Sequence, residues 1–249
     1  MKTYGLIGYP LSHSFSKKYF TEKFLNEHIE NHQYELFPIE NVSLITTLLN
    51  EDKSICGLNV TIPHKVSVLP LLNEIDEAAD KIGAVNCISV KNISGQKHLK
   101  GYNTDAFGFE ESLKPLLKFH HTNALVFGDG GAAKAVKYVL EKLNISYKTV
   151  VRKPVSGAIL YNEITPELLK SHALLINTTP LGMSPNLEGC PEIDYSLLTP
   201  QHLAYDLVYN PLETTFLTKA AQQGAAIKNG LEMLYKQAEQ AWYIWNNLG

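Results

Sequence analysis

The amino-acid sequence predicts an α/β protein built as two α/β domains. Short apolar runs alternate with segments whose apolar residues recur at helical spacing, the pattern of strands joined by covering helices. The pattern starts over near Ala124. The 249 residues, 45% hydrophobic and 19% charged, suffice for a sizeable core at a length that admits one large domain or two smaller ones.

In the first part, residues 4–7, 34–38 and 57–60 read as strands, and residues 17–26 and 44–50 as the helices between them, a βαβαβ start with a mainly parallel sheet. The second part opens with an apolar strand from Ala124, a turn of Gly128, Asp129, Gly130 and Gly131, and a helix with Ala132, Ala135, Val136, Val139, Leu140 and Leu143 on one stripe. Strands at 147–151, 173–177, 203–207 and 225–228 follow, with a helix at 213–223. Residues 100–109 fall where the first pattern is complete, so the expected domains are 1–105 and 106–230. The final helix, 231–249, aligns Leu231, Leu234, Tyr235, Ala238, Trp242 and Trp245. It exceeds what the second sheet needs and is expected to pack back on the first domain.

A formal net charge of −3 gives no global basic field, which argues against a nucleic-acid or membrane-surface partner and for a small molecule met by local groups. No apolar run reaches membrane-spanning length, and the apolar stretch at the N-terminus is too short for a signal-peptide core. Cys56, Cys87 and Cys190 are odd in number and scattered, without metal-site spacing or the even count of a disulfide framework. A reducing, cytoplasmic setting without a metal is the expectation; monomer and homodimer both remain open.

A Gly-rich turn between strand and helix lets backbone approach a pyrophosphate, while the helix start supplies free N–H groups and partial positive charge. Gly128, Asp129, Gly130, Gly131 and Ala132 occupy such a turn, which marks the second domain as a Rossmann-like dinucleotide domain. Cofactor choice is read at the end of the next strand, where Arg152 and Lys153 stand. Arg152 is the single arginine of the chain, and its planar fork suits a ribose phosphate, favouring NADP (NADPH) over NAD.

In the first domain, Asn59 to Lys65 begins as a strand that must end at Pro63. Lys65 is thereby presented past a strand's carboxyl end, where ligands of α/β sheets gather. Asn86 and the Asn103-Thr104-Asp105 run supply further polar groups. Hydride chemistry at an alcohol carbon needs a positioned proton acceptor, and Lys65 with Asp105 are assigned jointly to that work. Within Ser12-His13-Ser14-Phe15-Ser16, hydroxyls either cap the next helix or bind. With the arginine committed elsewhere, a carboxylate ligand would be held by hydroxyls such as those of Ser14, Ser16 and Tyr209.

In order along the chain, His13 to Ser16, Asn59 to Lys65, Gly83 to Asn86, Asn103 to Asp105, the Gly128 turn, Asn177 to Met183, Asp206 to Pro211 and Met233 to Ala238 resemble the motifs of the shikimate dehydrogenases over nearly the full length. Those enzymes reduce 3-dehydroshikimate to shikimate in aromatic amino-acid biosynthesis. The resemblance implies that Ser14, Ser16, Asn59, Thr61 and Asn86 surround the substrate together with Asp105, Tyr209 and Gln237, with Lys65 central. It implies that Asn177, Thr178, Met183 and Gly230 lie along the cofactor.

Several positions depart from the family pattern. Lys17 stands where a proline is usual, at a helix start, and Val151-Arg152-Lys153 replaces the usual Asn-Arg-Thr, removing one polar contact to the adenosine end. Asp129 sets a negative charge inside the Gly turn. Two other readings stand beside this one: a quinate/shikimate dehydrogenase preferring NAD, and a noncatalytic dinucleotide-sensing protein on the same scaffold.

Overall fold

The computed structural model describes residues 1–11 and 14–248; Ser12 and His13, which open the Ser-His-Ser-Phe-Ser stretch, lie outside the described residues. The chain divides into two compact units, one of residues 1–104 and 237–249, the other of residues 105–236.

The first unit is a sheet in the order β2-β1-β3-β5-β6-β4. Its β1 (Lys2–Gly8) runs parallel to β2 (His32–Pro38) and β3 (Ile55–Val60), joined through α1 (Phe15–Asn26) and α2 (Leu44–Glu51). After Lys2 every residue of β1 is buried, as expected for a strand covered on both faces. One face packs Ile7, Ile45, Leu58 and Ile88. The other packs Tyr4, Phe20, Phe24 and Tyr34 with Trp245.

Here the structure adds what the sequence reading lacked. After α3 (His64–Ser67) come a short β4 (Glu74–Ile75), α4 (Glu77–Ile82) and a hairpin of β5 (Cys87–Ile93) with β6 (Gln96–Tyr102). Because β5 is antiparallel to both β3 and β6, the sheet is mixed. The signal for the hairpin was present: Ser94 and Gly95 both take positive φ, 53° and 84°, the two-residue turn whose twist matches that of paired strands. Helix α4 is fixed at both ends, by the Asp76 side chain accepting from the Ala78 N–H and by left-handed Gly83.

The second unit has the order β12-β11-β10-β7-β8-β9, with every observed pair parallel. After α5 (Thr104–Leu113), β7 (Asn123–Phe127) leads through α6 (Gly131–Lys142) to β8 (Ser146–Val151), then β9 (Ala158–Leu160) and α7 (Pro166–Ser171). The chain returns to the other side of β7 with β10 (Leu174–Asn177), β11 (Leu203–Asp206), α8 (Thr215–Gln222) and β12 (Ala226–Lys228), then enters α9 (Leu231–Tyr243), whose residues from Gln237 on belong to the first unit. Neither β9 nor α7 was foreseen. Strand order reverses at β7 and β10, the place where doubly wound sheets open a crevice beyond their carboxyl ends. No helix among the described residues is long and apolar enough to cross a membrane.

Two histidines give this unit a pH-dependent stability. The Lys118 backbone N–H donates to His121 Nδ1 at 3.1 Å, so Nδ1 must be unprotonated, while Nε2 donates to the Gln201 carbonyl at 3.2 Å. Burial holds His121 and His172 below the ordinary histidine value of 6.5. Their stabilising contribution is therefore complete above pH 6.5 and falls away as acid protonates the unfolded chain preferentially. Buried Asp206, pushed up to about 6 from 3.8, acts in the opposite sense over part of that range. The expected result is that the wild type loses more of its urea midpoint between pH 7.5 and 5.5 than His121→Gln does; equal losses would remove His121 from this role.

Candidate active site

In the first unit, hydrogen bonds connect side chains from distant parts of the sequence. Ser16, at the start of α1, bonds the hydroxyl of fully buried Tyr34. The Tyr34 hydroxyl donates to Asn59 Oδ1 at 2.7 Å, and Asn59 Nδ2 points to the Asn86 carbonyl at 3.4 Å. Asn86 is clamped to Thr104: its Oδ1 accepts the Thr104 N–H at 2.6 Å and its Nδ2 donates to Thr104 Oγ1 at 3.0 Å. Thr104 Oγ1 in turn reaches Gln237 Oε1 at 3.4 Å. Thus Ser16, Asn59, Asn86 and Gln237, expected from the sequence to act together, lie on one continuous polar path.

Tyr34 belongs to that path and was missed, because an apolar strand position gives no cue that its hydroxyl is used. Ser14 is the N-cap of α1, its hydroxyl accepting the Lys17 N–H at 3.2 Å. Asn103 is also structural in part, its Nδ2 donating to the Ala84 carbonyl at 2.9 Å.

Lys65 lies on α3 directly beyond β3. Thr61, half-buried at the strand end, starts the turn by accepting the His64 N–H on its carbonyl at 2.9 Å. The buried His64 ring anchors one side through Nε2 to the Ile39 carbonyl at 2.7 Å. The Lys65 carbonyl anchors the other by accepting the Val85 N–H at 2.8 Å. The lysine side chain is half-buried. Asp105, also half-buried, stands in the first turn of α5.

The second unit has a cavity of about 1010 Å³ that gathers Gly128, Asp129, Gly130, Arg152, Lys153, Thr178 and Met183, all expected along a cofactor. Thr179, Pro180, Leu181 and Tyr161 line it as well. The first three were inside a quoted motif; Tyr161 carried no sequence signal. Burial pushes the Tyr161 hydroxyl up to about 12, with Arg152 pulling the other way.

Local geometry explains the turn. Gly128 has φ of +103°, and a Cβ there would come within 2.8 Å of Thr178 Oγ1. Thr178 is itself fixed over the strand end, its N–H and hydroxyl both donating to the Phe127 carbonyl at 3.0 and 2.7 Å. Gly130 caps α6 with no side-chain hydrogen bond, and nothing lies within 4 Å of where a Cβ of Gly130 or Gly131 would stand. That open cradle, with the uncapped N–H groups of Gly131 and Ala132 beginning the helix, fits the diphosphate of a dinucleotide.

Asn177 is fully buried beside this turn. Its Oδ1 accepts from Thr179 N and Oγ1 at 3.1 and 2.6 Å, while its Nδ2 donates to Asp206 Oδ1 at 3.0 Å. Asp206 also accepts from Thr214 Oγ1 at 2.6 Å and from the Val208 N–H at 3.0 Å, tying the cavity turn to the segment that carries Tyr209. Gly230 donates its N–H to the Val208 carbonyl, and a Cβ there would come within 2.1 Å of the Leu207 oxygen, so only glycine fits.

A model of the shikimate dehydrogenase substrate binding domain matches residues 6–88. A relative from Gloeothece citriformis, named shikimate dehydrogenase (NADP(+)), is 37% identical over 98% of this chain and 90% of its own length. The chain belongs to the shikimate dehydrogenase family.

Solved structures agree on the fold. A shikimate 5-dehydrogenase from Thermus thermophilus, in complex with NADP(H) and shikimate, superposes with a TM-score of 0.85 at 30% identity, covering 99% of this chain and 94% of that one. Quinate dehydrogenase from Corynebacterium glutamicum, in complex with NAD, gives 0.86 at 26% identity over 98% and 93%. The α/β architecture of these structures is present over nearly the whole chain.

Proposed function

We propose that the chain is an NADP-dependent shikimate dehydrogenase, an oxidoreductase acting on a CH–OH group that interconverts 3-dehydroshikimate and shikimate. The observation that carries the reading is one cavity lined by both the Gly128 turn and Arg152, in a chain whose relatives are named for NADP(+). Bound NADPH supplies the hydride.

In this reading residues 1–105, with the C-terminal helix 231–249, form the substrate-binding half, and residues 106–230 hold the cofactor. Ser14, Ser16, Asn59, Thr61, Asn86, Tyr209 and Gln237 orient the substrate's hydroxyls and carboxylate. Lys65 and Asp105 hold and move the proton at the oxygen of the reacting carbon. Gly130, Gly131 and Ala132 present backbone N–H groups to the diphosphate, and Arg152 with Lys153 receives the ribose phosphate. Asn177 sets the turn on which Thr178 sits, with Met183 and Gly230 completing the cofactor side. The enzyme works in the cytoplasm as a monomer or homodimer.

The test is NADPH oxidation on adding 3-dehydroshikimate, run against NADH and against dehydroquinate. NADPH with 3-dehydroshikimate is expected to be the fastest pairing; NADH with dehydroquinate being faster would support the quinate reading, and cofactor binding without turnover the sensing one. Arg152→Ala is expected to weaken NADPH binding about 10- to 100-fold, the value of charge-assisted hydrogen bonds, while leaving NADH binding nearly unchanged. Unaltered NADPH affinity would remove Arg152 from the phosphate.

A further inference from the structure

We propose that Lys137 is a positioning residue for the cofactor diphosphate, acting through Asp129: it holds the Asp129 carboxylate off the start of α6 and cancels its charge. The inference rests on the cavity being the NADPH site.

Asp129 immediately precedes the N-cap Gly130 and lines the cavity. Aspartate is among the residues best suited to capping a helix, and the start of α6 has no side-chain cap. Its first N–H groups and partial positive charge would attract any nearby carboxylate as readily as a phosphate. Left to itself, Asp129 would compete with the diphosphate for the same donors and repel it as well.

The structure shows a different partner. Asp129 Oδ1 accepts from Lys137 Nζ in an ion pair whose side chains are 36% and 20% exposed, respectively. Lys137 lies nearly two turns along α6, and Cα–Cβ bonds tilt toward a helix's N-terminus, so its stem leads the ammonium back toward the Gly turn. Neighbouring Ala133, Val136 and Val139 are buried, which fixes the face of the helix from which the lysine extends. The acid set inside the Gly turn thus has a cation on the helix that follows to neutralise it.

NADPH fluorescence titration of the wild type and of Lys137→Met, Asp129→Asn and the double variant tests this, with methionine preserving the stem. At low salt Lys137→Met is expected to raise the NADPH Kd about three- to tenfold, with a smaller effect at high salt. In the Asp129→Asn background the same change is expected to cost less than about twofold, and Lys137→Arg should stay within about twofold of wild type. Melting curves without cofactor establish that each variant is folded. An unchanged Kd in Lys137→Met overturns the proposal, as does an equal loss in both backgrounds, which would mean that the lysine meets the cofactor directly. Weaker binding in Asp129→Asn alone also overturns it. A wild type that fails to bind NADPH would instead bring down the functional reading on which the proposal depends.

Discussion

Replacing Lys65 with alanine is expected to lower turnover of 3-dehydroshikimate by on the order of 10² to 10⁴, the range for loss of a general acid–base group. The lysine's place supports so large an effect. The short helix carrying it is anchored by the His64 ring on the Ile39 carbonyl and by the Val85 N–H on the Lys65 carbonyl itself. Neither anchor involves the lysine side chain, so the alanine variant should keep the local backbone. The cavity holding the Gly128 turn is lined by residues of the second unit, so NADPH affinity by fluorescence titration should be retained while kcat falls. A variant with near-normal kcat would take Lys65 out of the proton-transfer pair.

The second large effect is on stability. Trp245 packs its indole on Tyr4, with ring centroids 4.8 Å apart, and donates from Nε1 to the Ile88 carbonyl at 3.0 Å. The fit leaves no slack on the sheet side: a Cβ on Gly57 would come within 2.4 Å of the ring. Trp245→Ala is expected to cost about 3–5 kcal/mol, the usual effect of emptying a buried aromatic site. Part of that is the Ile88 carbonyl losing its donor. Because Gln237 lies on the helix just before this anchor and at the end of the polar path from Ser16, KM for the substrate should rise as well. Urea denaturation gives the check, and a loss below about 1 kcal/mol, well under the range for such a site, would show that the indole does not fasten the C-terminal segment.

What was legible in the sequence follows physical lines. Residues 4–7 and 57–60 could be read as strands because β1 and β3 are buried along most of their length, and apart from Asn59 their residues there are apolar or glycine. The α6 stripe could be read because Ala135, Val136, Val139 and Leu140 all meet the core. The β5–β6 hairpin escaped because its outer half is polar and exposed, leaving Ser94-Gly95 as the sole cue. Tyr34 escaped for a related reason: burial and hydrogen bonding are properties of its surroundings, not of its place in a pattern. Asp129 could be seen as a misplaced charge, but its pairing with Lys137 depends on side-chain direction along a helix and only coordinates supply that.

The bonds linking Ser16, Tyr34, Asn59, Asn86, Thr104 and Gln237 also bear on the entropy of binding. Tyr34 gives its proton to Asn59, and the Thr104 backbone N–H selects the oxygen of Asn86, so both amides have a settled orientation before a ligand arrives. Immobilising a side chain on association typically costs about 0.5–1.5 kcal/mol. In this chain that ordering is completed when the polypeptide folds, and a ring bearing several hydroxyls would meet dipoles that need not turn to receive it.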